Sequence, residues 1–164
     1  MISTIVTRVT IKRASINMAQ DIREVLSESF APFHQYYTEE AYKTTVISIH
    51  EIELRIMNKK VDVLVAIYDN NIFGTATIEM QEKENWYIRS MAVKPDFQKK
   101  NIGYLILREI NKLAKKMRVK TLSLDCFQPL INALNLYQSF GFRKTGVKRQ
   151  YHGIEIFEMI KRVD

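Results

Sequence analysis

The stretch that decides the fold is Ser90-Met91-Ala92-Val93-Lys94-Pro95-Asp96-Phe97-Gln98-Lys99-Lys100-Asn101-Ile102-Gly103-Tyr104. An apolar segment stops at a proline, a polar and basic loop follows, and a glycine stands at the head of a long amphipathic pattern. Pro95 cannot donate to a β-ladder, so a strand ends there. The loop from Gln98 to Gly103 runs into a helix start, where the first N–H groups lack intrahelical partners and the macrodipole is positive. Such an end takes phosphate. Lys99 and Lys100 add attraction at longer range, and Gly103 lets backbone approach a ligand closely. The stretch reads as a seat for a pyrophosphate; the ordinary alternative is a solvated strand–loop–helix connection.

Outward from this point the chain alternates between two periodicities. Upstream, Val61 to Tyr68, Ile72 to Met80 and Trp86 to Val93 are short β-branched or alternating runs joined by polar turns, an antiparallel meander. Asp69-Asn70-Asn71 suits the positive φ of a tight hairpin. Downstream, Ile102, Ile106, Ile110, Leu113 and Met117 share one stripe of a helix from about 102 to 117. A strand at Thr121 to Cys126 follows, and a strand–helix–strand unit of this size implies a parallel, right-handed crossover. A helix at Leu130 to Phe140 and strands at Phe142 to Arg149 and Ile154 to Lys161 complete the pattern. Before the meander come a strand within Met1 to Arg13, a helix at Ile16 to Ser29, an aromatic turn holding Pro32, and a helix from Thr38-Glu39-Glu40 to Met57. The expectation is one α/β domain over 1–164 on a mixed sheet.

Composition sets the outer bounds. The 164 residues carry 46% hydrophobic and 26% charged side chains with five glycines and three prolines, the profile of an ordinary globular chain with a sizeable core. The single cysteine, Cys126, cannot form an internal disulfide, which suits a reducing compartment. No apolar run reaches the ~18 residues of a membrane span, and Met1 to Arg13 lacks the apolar block of a signal peptide, so a cytoplasmic protein is expected. The net charge of +7 invites a nucleic-acid reading. Much of it, however, is scattered over a helix face (Lys112, Lys115, Lys116, Arg118, Lys120). No basic arm, zinc spacing or RNA-binding signature accompanies it, so neither a nucleic-acid partner nor a metal is expected.

The order of residues carries more than the bulk does. Val93-x-Pro95-x-x-Gln98-x-x-Asn101-x-Gly103 resembles the acetyl-coenzyme A signature of the GNAT superfamily of N-acetyltransferases. Ala133-Leu134-Asn135-Leu136-Tyr137-Gln138-Ser139-Phe140-Gly141-Phe142 is similar to that family's Ala-x-x-Leu-Tyr-x-x-x-Gly-Phe. The element order resembles the family along nearly the whole chain. The resemblance implies a GNAT-like fold: a central, mostly antiparallel twisted sheet of about seven strands flanked by about four helices, with strands 4 and 5 parallel and splayed. Two departures stand out. Asn101 replaces a loop glycine, although Asn is among the residues least penalised at positive φ. Leu130 stands where many members carry an Asn for the pantetheine arm; Asn132 is close by but is expected on a different helix face.

The resemblance also implies a chemistry. Acetyl-coenzyme A would lie between the splayed strands, contacting Met91, Ala92, Val93, Gln98, Lys99, Lys100, Asn101, Ile102, Gly103 and Tyr104. The backbone groups of Met91 to Val93 would pair with pantetheine amides, and one N–H would act as an oxyanion donor. The acceptor amine attacks the thioester directly, and Tyr137 sits where the family places the phenol that assists the departing thiolate; its alternative is plain packing under the helix. Glu79, alternating with Thr77 and Thr75 on one strand face, is the preferred carboxylate for the amine proton, ahead of Glu84. His34, His50 and His152 are of a type that titrates in the right range, yet each alone is more often a surface or packing residue. Cys126 reads as a small buried apolar residue. Phe33, His34, Tyr36, Tyr37 and Tyr151 are candidate walls of the acceptor site, able to hold an amine by cation–π contact, or simply core aromatics.

The leading expectation is therefore an acetyl-coenzyme A-dependent N-acetyltransferase acting on a primary amine of a small molecule or a protein. A non-catalytic acyl-coenzyme A sensor with the same fold is the alternative. Exchange of the terminal strands would give a homodimer, though nothing in the pattern demands it.

Overall fold

The structure, a computed structural model, describes residues 8–82 and 84–164; the opening residues 1–7 of the expected first strand lie outside them. The strands are β1 (Thr10–Arg13), β2 (Val61–Tyr68), β3 (Asn71–Glu82), β4 (Asn85–Val93), β5 (Thr121–Phe127), β6 (Arg143–Tyr151) and β7 (Ile154–Arg162). The helices are α1 (Ala19–Phe30), α2 (Glu39–Thr45), α3 (Ile49–Met57), α4 (Ile102–Lys116) and α5 (Ile131–Phe140), with 3-10 turns at Ile16–Met18, Ala31–Tyr36 and Pro95–Phe97. One seven-stranded sheet runs in the order β1-β2-β3-β4-β5-β7-β6. Every neighbouring pair is antiparallel except β4–β5, which is parallel. This is the mixed sheet and GNAT-like α/β fold that the motifs imply.

Alternation along the strands explains the layers. In β2, Leu64 and Ala66 face the cluster under α4 and α5, while Val63 and Val65 face the cluster under α1 and α3. A strand covered on both faces reads as a continuous apolar run, as β2 does. β5 differs: Leu122, Leu124 and Cys126 enter the α4–α5 core, whereas Ser123 and Asp125 point to the other face. The sheet is thus roofed from β2 across to β7 on one side and only over its β2–β4 half on the other, and the edge strand β6 is exposed along nearly its whole length.

The hairpin at Asp69-Asn70 has φ of 48° and 60°, the left-handed pair that a two-residue turn needs. The pattern expected from Thr38 to Met57 as one helix is two. Thr44 and Thr45 turn their hydroxyls back onto the carbonyls of Glu40 and Ala41 (2.8 to 3.1 Å), which loosens a helix end. Ser48 then restarts the chain: its hydroxyl accepts from Glu51 N (3.2 Å), and the Glu51 carboxylate accepts from Ser48 N (2.9 Å). The Ser48-Ile49-His50-Glu51 spacing is a capping box that was legible in the sequence. Likewise Met117, expected on the apolar stripe of α4, is its C-cap and 62% exposed, because Arg118 (φ 58°) reverses the chain there.

The Ser48 backbone N–H, and then its hydroxyl, hold the Glu51 carboxyl below its ordinary 4.5. The folded value is the lower one, so this contribution is complete above the ordinary value and is lost as pH falls through the folded one. Ser48→Ala should cost about 1 kcal/mol and roughly 2–4 °C in Tm at neutral pH. Thermal denaturation from pH 7 down to pH 3 should show the wild-type advantage shrinking in acid.

Candidate active site

The decisive local feature is a bulge in β4. The β3–β4 register breaks between Thr75–Ala92 and Thr77–Arg89, and Ser90 takes φ 50°. A bulge bends and twists its strand, and the parallel β4–β5 pairing stops at Ile88–Leu124. β4 continues to Val93 and β5 to Phe127, so the two strands part. A cavity of about 360 Å³ opens there, lined by Met91, Ala92 and Val93 of β4, the loop before α4, the first turns of α4 and α5, and Tyr137.

The structure brings together most of the cofactor residues expected from the sequence. Gln98, Lys99, Asn101, Ile102, Gly103 and Tyr104 all line the cavity. Lys100 does not; its ammonium stands 5.1 Å from the centre of the Phe97 ring, and Phe97 in turn stacks on Phe73. Asn101 adopts φ 62°, ψ 9°, so the side chain in the glycine's place takes the left-handed conformation. Gly103 has an ordinary helical backbone; a Cβ there would fall 2.6 Å from Leu136 Cδ2, so it serves the close packing of α4 on α5 as well as approach to the cavity. Val93 departs from the expectation of a free backbone: its carbonyl already accepts from Ser29 Oγ (3.0 Å) and Gln98 Nε2 (2.9 Å). These bonds pin the end of β4 to α1 and to the loop. Ser29, Asn132 and Asn135 are cavity-lining residues that sequence reasoning missed or set aside. Asn132 lines the cavity from the first turn of α5, which starts at Ile131 with Leu130 as its N-cap.

Tyr137 lies at the cavity's inner end, only 7% exposed. Burial, and then the neighbouring Cys126, Tyr87 and Tyr37, raise its phenol well above the usual range. It therefore keeps its proton throughout the neutral range, as a donor should. Burial likewise pushes the Cys126 thiol up to about 11, so it stays neutral and is no nucleophile.

On the opposite face of the same seam lies a polar network. Tyr87 Oη donates to Asp125 Oδ2 (3.0 Å), and Arg149 bridges Asp125 Oδ1 (2.6 Å) and Glu158 Oε2 (2.8 Å). Asp125 is the first β5 residue past the last β4–β5 pair. Its position was invisible in sequence, where it reads as one polar residue in an alternating strand. Glu79 sits further back, held by Arg89 Nη1 at 2.7 Å. Arg55, from the last turn of α3, donates through Nη1 to Ser90 Oγ (2.8 Å).

The expected aromatic walls are divided. Phe33 lines the cavity. Tyr37 packs edge-on against Phe127 and Phe30, and burial raises its phenol. His34 stacks on Tyr42 and pairs with Glu39 (3.2 Å). Tyr36 is half exposed, and Tyr151 lies against His152 at the β6–β7 turn. That turn is tied across to α2: Thr38 Oγ1 donates to the His152 carbonyl (2.5 Å), and His152 pairs with Glu40 (3.0 Å). Among the described residues no group of His, Cys, Asp or Glu is arranged to hold a metal, and no helix is long and apolar enough to cross a membrane.

A family model for the acetyltransferase (GNAT) domain matches residues 25–163, the span that holds the bulge, the loop and Tyr137. The chain belongs to the GNAT acetyltransferases. An uncharacterised N-acetyltransferase of Schizosaccharomyces pombe is 31% identical over 58 residues, which is 35% of this chain and 36% of that protein. The GNAT chain thus spans about a third of that relative's length in the match. Among solved structures, the PaiA N-acetyltransferase of Thermoplasma acidophilum in complex with coenzyme A has a TM-score of 0.79 at 22% identity, covering 94% of this chain and 98% of that one. The ribosomal-protein-S18-alanine N-acetyltransferase of Escherichia coli has 0.77 at 17% identity, covering 95% and 94%. YncA of Salmonella typhimurium, a putative acetyltransferase with its cofactor acetyl-CoA, has 0.75 at 16%, covering 95% and 94%. At these identities the likeness is one of fold.

The left-handed Asn101 generates a test. Asn101→Gly should leave stability and coenzyme A affinity unchanged or improved. Asn101→Ala should cost about 1–2 kcal/mol, the penalty for a Cβ at this φ, and should weaken coenzyme A binding in calorimetry as the loop loses its shape.

Proposed function

We propose that this chain is a single N-acetyltransferase domain that carries the acetyl group of acetyl-coenzyme A directly to a primary amine. The observation that carries the reading is the parted β4–β5 seam, with a protonated, buried phenol on one side and a carboxylate network on the other. The thioester arm of the substrate occupies the cavity beside Met91 and Ala92. Its diphosphate lies against the N-terminus of α4, whose free N–H groups and positive dipole end suit it, with Lys99 adjacent. The amine approaches from the polar face and attacks the carbonyl carbon. The C–N bond forms, the C–S bond breaks, and the electron pair leaves on sulfur.

Tyr137 supports the departing thiolate. Because burial raises its pKa far above the ~8.5 of a thiol, full proton transfer is uphill, and the phenol acts as a hydrogen-bond donor to developing charge. The amine arrives as an ammonium and must lose a proton. Asp125 is the carboxylate nearest the parting of the strands. Glu79, paired with Arg89 at 2.7 Å, is the second candidate.

A thiol-release assay with acetyl-coenzyme A and a panel of amines tests this. Tyr137→Phe should lower kcat by about 10²-fold with coenzyme A affinity unchanged, and Asp125→Asn should lower kcat, likewise with coenzyme A affinity unchanged. Tight coenzyme A binding without turnover on any amine would favour a sensor over an enzyme.

A further inference from the structure

Two guanidinium groups meet at the β4 bulge, and only one is balanced. Arg89 has its counter-charge in Glu79 at 2.7 Å. Arg55 is half-buried, and its one recorded partner is the neutral Ser90 hydroxyl at 2.8 Å. Among the described residues no carboxylate lies within ion-pair distance of it, since Glu51, one turn earlier on α3, is committed to the cap at Ser48. A desolvated cation without a counter-ion costs free energy that folding alone does not recover. Burial and then the neighbouring Arg89 lower the Arg55 pKa to about 10, only partly offset by Glu79 and Glu51, neither of which is in ion-pair contact with it, and it remains charged at neutral pH. Its guanidinium keeps donors to spare: Nη1 serves Ser90, leaving the Nε and Nη2 edge of the fork for a planar anion.

The surroundings define where that anion would sit. Ser90 is next to Met91, which lines the cofactor cavity, so Arg55 stands one residue from the parting strands. Tyr151, on the β6–β7 hairpin, is near enough to influence Arg55. Across the seam, Asp125 and Glu158 share the single Arg149, which leaves that wall one negative charge in excess. The polar face thus has a cationic end at Arg55 and an anionic end at Asp125.

We propose that Arg55 recognises a carboxylate on the acceptor, so that the substrate is an amine carrying a free carboxylate, an amino acid or a peptide with an acidic group beside its amine, and not a polyamine. This rests on the acetyl-transfer reading for its chemistry: the amine is drawn toward Asp125 while the carboxylate docks on Arg55. A purely cationic amine would gain at the Asp125 end but would meet the unbalanced Arg55 at the other.

The test pairs kinetics with binding. Acetyl transfer is measured for alanine, phenylalanine and lysine against their carboxamides, and against spermidine, with wild type, Arg55→Gln and Arg55→Lys. The expected result is a kcat/KM at least about tenfold higher for acids than for carboxamides, lost in Arg55→Gln through KM and partly restored in Arg55→Lys. Equal turnover of acids and carboxamides, a preference for spermidine, or an equal loss on both series in Arg55→Gln would overturn it. In parallel, calorimetry follows N-acetylalanine and N-acetylalaninamide binding to the protein loaded with coenzyme A. Carboxylate-dependent heat that disappears in Arg55→Gln supports the site even if no amine is acetylated, in which case the transfer reading alone falls. Equal heat, or none, from both probes overturns the site, while amine turnover would leave the transfer reading standing.

Discussion

A parallel strand pair does not separate without a cause, because each lost ladder bond leaves backbone groups to be satisfied otherwise. Here the cause is one residue. Ser90, in the left-handed region at φ 50°, inserts an extra position into β4 and carries the strand away from β5 after Ile88–Leu124. The released segment is then fixed from the other side: the Val93 carbonyl takes hydrogen bonds from Ser29 and Gln98, and Lys94 N donates to Phe73 O at 2.8 Å. The opening is therefore a cleft whose two sides stay bonded to their other neighbours, β4 to α1, β3 and the loop, and β5 to β7. Ser90 also offers its hydroxyl to Arg55, so the same irregularity that opens one side positions a cation on the other.

The uneven roofing of the sheet completes the design. Covering both faces of β2 to β4, one face of β5 and β7 and neither face of β6 leaves Asp125, Glu158 and Tyr87 outside the apolar clusters beside the seam. These groups are satisfied by one another instead of by a core. The α2 cap and the β6–β7 turn meet over this region through Thr38, Glu40 and His152, bringing segments 114 residues apart into contact. The arrangement separates a mostly apolar cavity wall from a charged face on the other side of the seam.

Much of this was legible along the chain. The period of two in 61–93 and the period of 3.6 in 102–116 marked the meander and the crossover helix, because burial on regular elements writes itself into the sequence at their own spacing. Asn101 announced its left-handed backbone, since few side chains tolerate it. The break between α2 and α3 was written too, in Ser48 and Glu51, but hidden under a hydrophobic spacing that happened to continue through it. Lys100 was misjudged because charge on a loop says nothing of direction; the Phe97 ring beneath it decided where it points.

By itself the sequence determined most of the elements, the loop that leads into α4 and the family, because these depend on local conformation and on motifs a few residues long. Only the tertiary structure decided the partners across the seam: Asp125 with Tyr87 and Arg149, Glu79 with Arg89, and Arg55 with a lone serine. The physical reason is that a charge is defined by its neighbours, and here those neighbours come from four separate strands and a helix whose register against one another no short-range pattern records.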